Sequence, residues 1–297
     1  MQARCLTPQG GGGKRWDTVT HPNDPLLAHI RRCQAPTRTG SLLWCGNAVI
    51  GRVHPTVEPA LDALLIREPR GFSVPSGPAI EALGIRMAEI GLYRPHDELF
   101  DVLTGPDAAP LGRIDRGALP LLGLLAQGVH VNGLVERSDG LHLWIGRRSP
   151  HKRLDPGKLD HLVAGGMTAG LTSLEAVVKE AREEASLGAD LSSSAVPASL
   201  LGYAVERPEG ARRDLLHCFD LFLPEDFRPV PDDGEVVSFE LLPIEQALAL
   251  VRDTQDFKFN VNLVLIDLFL RRGLIGGDEA HTLRAALNDG LSMALEP

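Results

Sequence analysis

Apolar residues in the second half of the chain come in short runs separated by turn-forming residues. Residues 129–135 and 141–145 flank Ser138-Asp139-Gly140, and Asp-Gly supplies the positive-φ residues a tight hairpin turn requires. The pattern predicts two antiparallel strands there, further strands at 200–205, 215–223 and 236–242, and helices at 244–251 and 259–271. Upstream, strand-like runs at 42–44, 48–50 and 99–102 surround a helical stretch at 78–90, the pattern of a small α+β unit. The Gly/Pro-rich segment 105–112 places a boundary near residue 115. Residues 1–17 show little periodicity and read as a flexible tail. The expected division is this tail, an α+β domain at 18–115, a main domain at 116–277 and a C-terminal helical tail at 278–297. The fold class is α/β, a mixed sheet flanked by helices.

Composition narrows the function classes. The chain has 297 residues, 43% hydrophobic and 23% charged, enough for a real core in one large or two ordinary domains. No apolar run approaches the roughly 18 residues a membrane span needs, because Asp267 interrupts 263–270. The N-terminus has no apolar signal-peptide core. Four cysteines without CxxC spacing argue against a zinc site or disulfide framework, so a reduced, cytoplasmic setting is expected. A formal charge of −9 argues against a general nucleic-acid binder but leaves room for a locally basic pocket. Gly10 to Gly13 lack the GK[ST] ending of a phosphate-binding loop.

Candidate chemistry concentrates in one helix. Thr172 and Glu175 have capping-box spacing, so a helix starts at Ser173. At 100° per residue, Leu174, Val177, Val178, Ala181 and Ala185 form an apolar stripe, and Glu180, Glu183 and Glu184 cluster on roughly the opposite side. Like charges at such spacing cost an isolated helix about 0.2–0.5 kcal/mol per pair, and glutamates near a helix C-terminus oppose its dipole. A divalent cation would reverse that penalty; pairing with Lys179 and solvation is the plainer alternative.

The stretch Gly165-Gly166-Met167-Thr168-Ala169-Gly170-Leu171-Thr172-Ser173-Leu174-Glu175-Ala176-Val177-Val178-Lys179-Glu180-Ala181-Arg182-Glu183-Glu184-Ala185-Ser186-Leu187 resembles the Nudix box, G-x5-E-x7-R-E-U-x-E-E-x-G-U with U apolar. Leu171 stands where the first glutamate belongs, Lys179 replaces the arginine and loses its planar fork, and Ser186 replaces the last glycine. Segments 128–130, 143–149, 156–160 and 257–260 are similar to a Nudix subgroup that follows a domain of uncharacterised function and is also found fused to thiamine pyrophosphokinase. The resemblance implies a Nudix hydrolase that uses Mg²⁺ or Mn²⁺ held by Glu180, Glu183, Glu184 and the Gly165 carbonyl, with Glu180, Glu183 and Lys179 catalytic. It implies a small organic diphosphate as substrate, with thiamine diphosphate or its oxidised analogues ahead of ADP-ribose and nucleoside diphosphate sugars. The alternative it leaves open is a Nudix-fold sensor without turnover. Nudix domains often dimerise, so a homodimer is an expectation.

Around that helix, Arg147, Arg148 and Lys152 are candidate phosphate contacts. Phe257 and Phe259 offer stacking faces, with Lys258 and Asn260 for polar readout. Asp232, Asp233 and Glu235 form an acidic loop that offers an alternative general base. His130 and His142 alternate with apolar residues and read as packed or surface histidines.

Overall fold

Helix α1 (Pro25–Arg32) begins where Asp24 accepts the Leu26 N–H at 2.9 Å and Pro25 fills a first-turn position that needs no donor. A two-residue strand, β1 (Gln34–Ala35), follows. The computed structural model describes residues 24–36, 38–232 and 234–297; the tail expected at 1–17 lies outside them. Next come β2 (Leu42–Cys45), β3 (Ala48–Arg52), α2 (Glu58–Leu61), β4 (Ile66–Glu68), β5 (Gly71–Val74), α3 (Gly77–Glu89), β6 (Leu99–Val102) and β7 (Gly112–Asp115). The sheet in the order β3-β2-β5-β4 is mixed, β2 and β5 being parallel, and β6 and β7 make a separate antiparallel pair. Ile50, Phe72, Val74, Ile80, Met87 and Ile114 share one buried core, the α+β unit the pattern predicts.

A 3₁₀ turn (Arg116–Ala118) and α4 (Leu119–Leu122) lead into the larger part. Its elements are β8 (Leu125–Arg137), β9 (Gly140–Arg148), β10 (Leu159–Asp160), β11 (Val163–Gly166), α5 (Ser173–Ala185), α6 (Ala189–Ser192), β12 (Val196–Arg207), β13 (Gly210–Phe222), β14 (Val236–Pro243), α7 (Ile244–Asp253), α8 (Val261–Arg271) and α9 (Gly277–Leu295). The hairpin falls where Asp-Gly predicts it, with Arg137 opposite Gly140 and Gly140 at φ 125°. Among the described residues the sheet is eight-stranded and mixed, in the order β1-β12-β13-β8-β9-β10, with β11 on β8 and β14 on β9. The two-residue period sends Val129, Val131 and Val135 of β8 to one face, where Val177, Ala181 and Ala185 of α5 cover them. Leu134 points to the other face, into a core with Val264, Leu268, Leu283 and Leu287 from α8 and α9. Helices on both faces make this the α/β class expected.

Helix α1 and the segment 278–297 both pack on the larger part. Leu26, Leu27 and Ile30 of α1 are buried with Leu263, Val264 and Leu268, not with the N-terminal core, and β1 pairs parallel with β12. A stripe on α1 fits either core, and only tertiary packing decides between them. The segment expected as a C-terminal helical tail is helical, and it is packed. Helix α9 lies on β12, where a Cβ at Gly202 would meet Leu291 Cα at 2.8 Å and one at Gly290 would meet the Gly202 carbonyl at 2.6 Å. Two facing glycines let helix and strand backbones touch.

Candidate active site

Helix α5 starts as its capping box predicts: Thr172 Oγ1 accepts the Glu175 N–H at 3.3 Å, and Glu175 accepts the Thr172 N–H at 2.8 Å. It ends at Ser186 in the left-handed region, φ 53°, where the box favours glycine. The Ser186 hydroxyl donates to the Val230 carbonyl at 3.0 Å, which anchors that conformation.

The carboxylates do not sit opposite the apolar stripe. Glu180 and Glu184 are buried alongside Val177, Ala181 and Ala185, whereas Glu183 is exposed and Leu174, placed in the stripe, is 38% exposed. Strand β11 explains the inversion. A Cβ at Gly165 would lie 2.0 Å from Glu180 Oε2, so the bare backbone leaves a slot that the carboxylate fills. Glu184 Oε2 accepts the Ala164 N–H at 2.8 Å. Lys179 Nζ donates to Glu180 Oε1 at 2.7 Å and Glu183 Oε2 at 2.9 Å, one cation serving two acids.

Burial pushes the Glu180 carboxyl above its ordinary range against the pull of Lys179, and Glu183 and Glu98 add to the rise. Glu184 is pushed up further, by burial first and then by Asp160, Glu180 and Glu235, against its bond from Ala164. Lys179 pairs with Glu180, and Lys258 acts on Glu184 without a bond to it, so burial of the two acids is only partly offset. Carboxylate and carbonyl oxygens are the donors a hard cation such as Mg²⁺ prefers, so the residues present fit such an ion. The three glutamates do not already form a closed cage. Among the described residues, the group of three potential ligands whose atoms lie within 4.8 Å of one another is His130, Asp160 and His161.

That second cluster escaped the sequence reading, which placed His130 on a strand and left Asp160 and His161 aside. It is a poor cation site. Asp160 already pairs with Arg148 Nη1 at 2.8 Å and Lys258 Nζ at 3.5 Å, so an ion would meet two fixed positive charges. Burial alone would raise the Asp160 carboxyl, but Lys258 and Arg148 hold it well below the carboxylate range. His130 Nδ1 and His161 Nδ1 are 3.0 Å apart, and burial keeps both rings neutral, His161 falling to about 4 and His130 well below its ordinary value. The sign follows. In the unfolded chain both histidines protonate near pH 6.5, while the folded ones resist, so stability present above that pH is lost as pH falls toward 4. Urea unfolding between pH 7 and 4.5 should lose on the order of 1 kcal/mol per pH unit for each such histidine. A flat profile would show that these rings are not held neutral.

Beside β11 lies a cavity of about 560 Å³, a size suited to a small organic ligand. Gly165, Gly166 and Glu180 form one wall; His130, Lys258 and Asn260 form another. Eight Lys or Arg and four Asp or Glu line it, the reverse of the chain's balance of 30 basic to 39 acidic residues. Asn260 is 5% exposed and its Oδ1 is buried without a hydrogen-bond partner. A buried acceptor left unpaired is costly, so this one is suited to a ligand donor.

The remaining candidates divide. Lys152 lines the cavity in an ion pair with Glu235, which lines it too. Arg148 lines it but is spent as a brace, donating to Asp160 and to the Leu154 and Asp155 carbonyls. Four of the expected residues, Arg147, Phe257, Phe259 and Asp232, do not line the cavity. Arg147 points outward, its Nη1 on the Gly157 carbonyl at 3.0 Å, because alternation along β9 turns it away from Arg148. Phe257 is 3% exposed inside the core, bridged to Leu159, and offers no face to a ligand. Phe259 packs edge-on to Tyr203 at 5.4 Å beneath Arg207. Asp232 is exposed and outside the cavity lining, and Asp233 lies outside the described residues. Sequence reasoning missed the contribution of the N-terminal unit, since Tyr93, Arg94 and Phe100 also line the cavity, as does Arg116 on the turn that follows the unit.

The family model described as NUDIX domain matches residues 126–262. The chain is similar to "Nudix hydrolase 24, chloroplastic" of Arabidopsis thaliana, 44% identical over 179 residues that cover 60% of this chain and 49% of that protein. To "Nudix hydrolase 20, chloroplastic" of the same plant it is 38% identical over 212 residues, 71% of this chain and 56% of that one. It therefore spans about half the length of these curated relatives. Among solved structures it is similar to DR0079 from Deinococcus radiodurans, with 26% identity, 57% of this chain and 97% of that chain covered, and a TM-score of 0.43.

Proposed function

We propose that this chain, whose residues 126–262 match the NUDIX domain model, hydrolyses the phosphoric anhydride bond of a small organic diphosphate. The observation that carries the reading is the basic cavity ending on Glu180 and Gly165, in a chain whose net charge is negative. Glu180, Glu183, Glu184 and the Gly165 carbonyl would hold Mg²⁺ or Mn²⁺, which when bound withdraws charge from a phosphoryl oxygen and acidifies water. Of the three glutamates Glu180 alone lines the cavity, and its raised carboxyl suits it to accept a proton from the attacking water. Of the acidic-loop candidates, Glu235 lines that space and Asp232 does not. Lys152 and the exposed Arg153 supply cations for phosphate oxygens. Asn260 accepts a hydrogen bond from the organic part of the substrate.

Thiamine diphosphate or an oxidised analogue is the first substrate to test, with ADP-ribose and nucleoside diphosphate sugars beside it. Burial of Phe257 removes one stacking face; Phe100 and Tyr93 replace it in the cavity wall. Product analysis under saturating Mg²⁺ decides the class: turnover of one of these diphosphates is expected, and tight binding of all without turnover would identify a sensor. A preference for ADP-ribose of tenfold or more in kcat/KM, about 1.4 kcal/mol, would reverse the substrate order but leave the hydrolase standing.

A further inference from the structure

Strand β6 of the N-terminal unit is bonded to the loop that enters α5. The Leu99 carbonyl accepts the Ala169 N–H at 2.8 Å, and Asp101 Oδ2 accepts the Gly170 N–H at 2.7 Å. Phe100 lies against the same loop, where a Cβ at Gly166 would meet its Cζ at 2.5 Å. Over the Phe100 ring, 5.7 Å from its centroid, sits the Arg116 guanidinium. Glu98 ties these parts together, accepting from Arg116 Nη1 at 3.0 Å through one oxygen and from Thr168 Oγ1 at 2.9 Å through the other. Arg116 itself is set by Asp115, whose carboxylate accepts the Gly117 N–H at 2.8 Å and caps the 3₁₀ turn.

We propose that the N-terminal unit is a wall of the active site and that Arg116, on the turn that joins the unit to the larger part, contacts the substrate's diphosphate, oriented by Glu98 of the unit, which also positions the 167–170 loop. The inference rests on the hydrolase reading for its substrate class. A surface ion pair is the plain alternative, yet Arg116 lines the same cavity as Gly165, Gly166 and Glu180. Its side chain is 47% exposed, so the charge is open to a ligand and not consumed by packing. The planar fork left after one bond to Glu98 still presents several N–H donors to phosphate oxygens. The N-terminal unit therefore contributes to substrate binding, and its severing would lower affinity even if the Nudix domain folded alone.

The test is calorimetry of the full chain with Mg²⁺ and methylenediphosphonate, a diphosphate analogue without a cleavable anhydride, alongside kinetics on whichever diphosphate turns over. Arg116→Ala should weaken analogue binding about tenfold, as expected for loss of a charge-assisted contact, and raise KM more than it lowers kcat. Arg116→Lys should recover part of the affinity, and Arg70→Ala, outside the cavity, none of the loss. Thermal unfolding of each variant separates binding from folding; Arg116→Gln, which keeps a donor for Glu98, serves if the alanine variant unfolds. Unchanged affinity and KM in folded Arg116→Ala and Arg116→Gln, or no analogue binding by wild type, would overturn the proposal. Absence of turnover with Arg116-dependent binding intact would sink the hydrolase reading alone, and turnover with Arg116-independent binding would sink this one alone.

Discussion

Glu180→Gln is expected to lower kcat by roughly 10²–10⁴-fold, the usual contribution of a positioned general base, while leaving the protein without added metal at least as stable as wild type. The two halves have one cause. Glu180 is held against the bare backbone of Gly165, where burial disfavours its ionised form more than Lys179 favours it. Its folded carboxyl is raised, so its contribution to stability is greatest below the ordinary glutamate range and is lost as pH rises through the raised value. At neutral pH the charge is a stability cost retained for chemistry. The amide keeps the shape and removes the charge, so the melting temperature holds or rises while proton transfer stops. Mg²⁺ should raise the melting temperature of wild type more than that of the variant, because a ligand stabilises by its differential affinity for the folded state. Steady-state kinetics on the substrate found in the diphosphate panel, with melts at several Mg²⁺ concentrations, check both. A kcat within threefold of wild type would remove Glu180 from the chemistry.

What the sequence discloses about this site follows the range of the forces involved. The hairpin at Gly140 and the capping box at Thr172 rest on bonds within four residues, and both stand where local pattern places them. The inward turn of Glu180 and Glu184 was not legible, because a helical wheel knows nothing of the strand opposite, and only a strand with glycine at 165 leaves room for a carboxylate. Phe257 shows the converse: an aromatic beside a lysine and an asparagine reads as a pocket wall until β10 and α8 close around it. The contribution of Arg116 depends on contacts between residues far apart in sequence, such as Gly170 with Asp101, 69 residues away, and no periodicity encodes those.

Asp267→Ala should cost roughly 3 kcal/mol of unfolding free energy, at the low end of the 3–5 kcal/mol for removing one partner of a buried ion pair. In sequence this residue was legible only as an interruption of an apolar run. In the fold it is fully buried in α8, accepting from Arg271 Nε at 2.7 Å, from Ser199 Oγ at 2.7 Å and from Arg284 of α9. Arg271 also reaches Asp220 of β13 at 2.7 Å, and Arg272 joins the same carboxylate at 2.8 Å, so α8, α9, β12 and β13 meet in one charged network. Deleting Asp267 leaves the Ser199 hydroxyl without its acceptor and removes one of the two acids facing Arg271. Two features hold the cost near the lower bound: Arg271 retains Asp220, and Arg284 is 40% exposed and can turn to water. Arg284→Ala should accordingly cost less than about 1 kcal/mol, as an exposed partner does. Urea unfolding separates these values, and a drop of several degrees in melting temperature accompanies the first. Because the network lies on the helix-covered face opposite α5, Asp267→Ala should keep its kcat per folded molecule well below the unfolding temperature. A loss of stability under 1 kcal/mol would mean that the arginines are solvated as well by water as by the buried carboxylate.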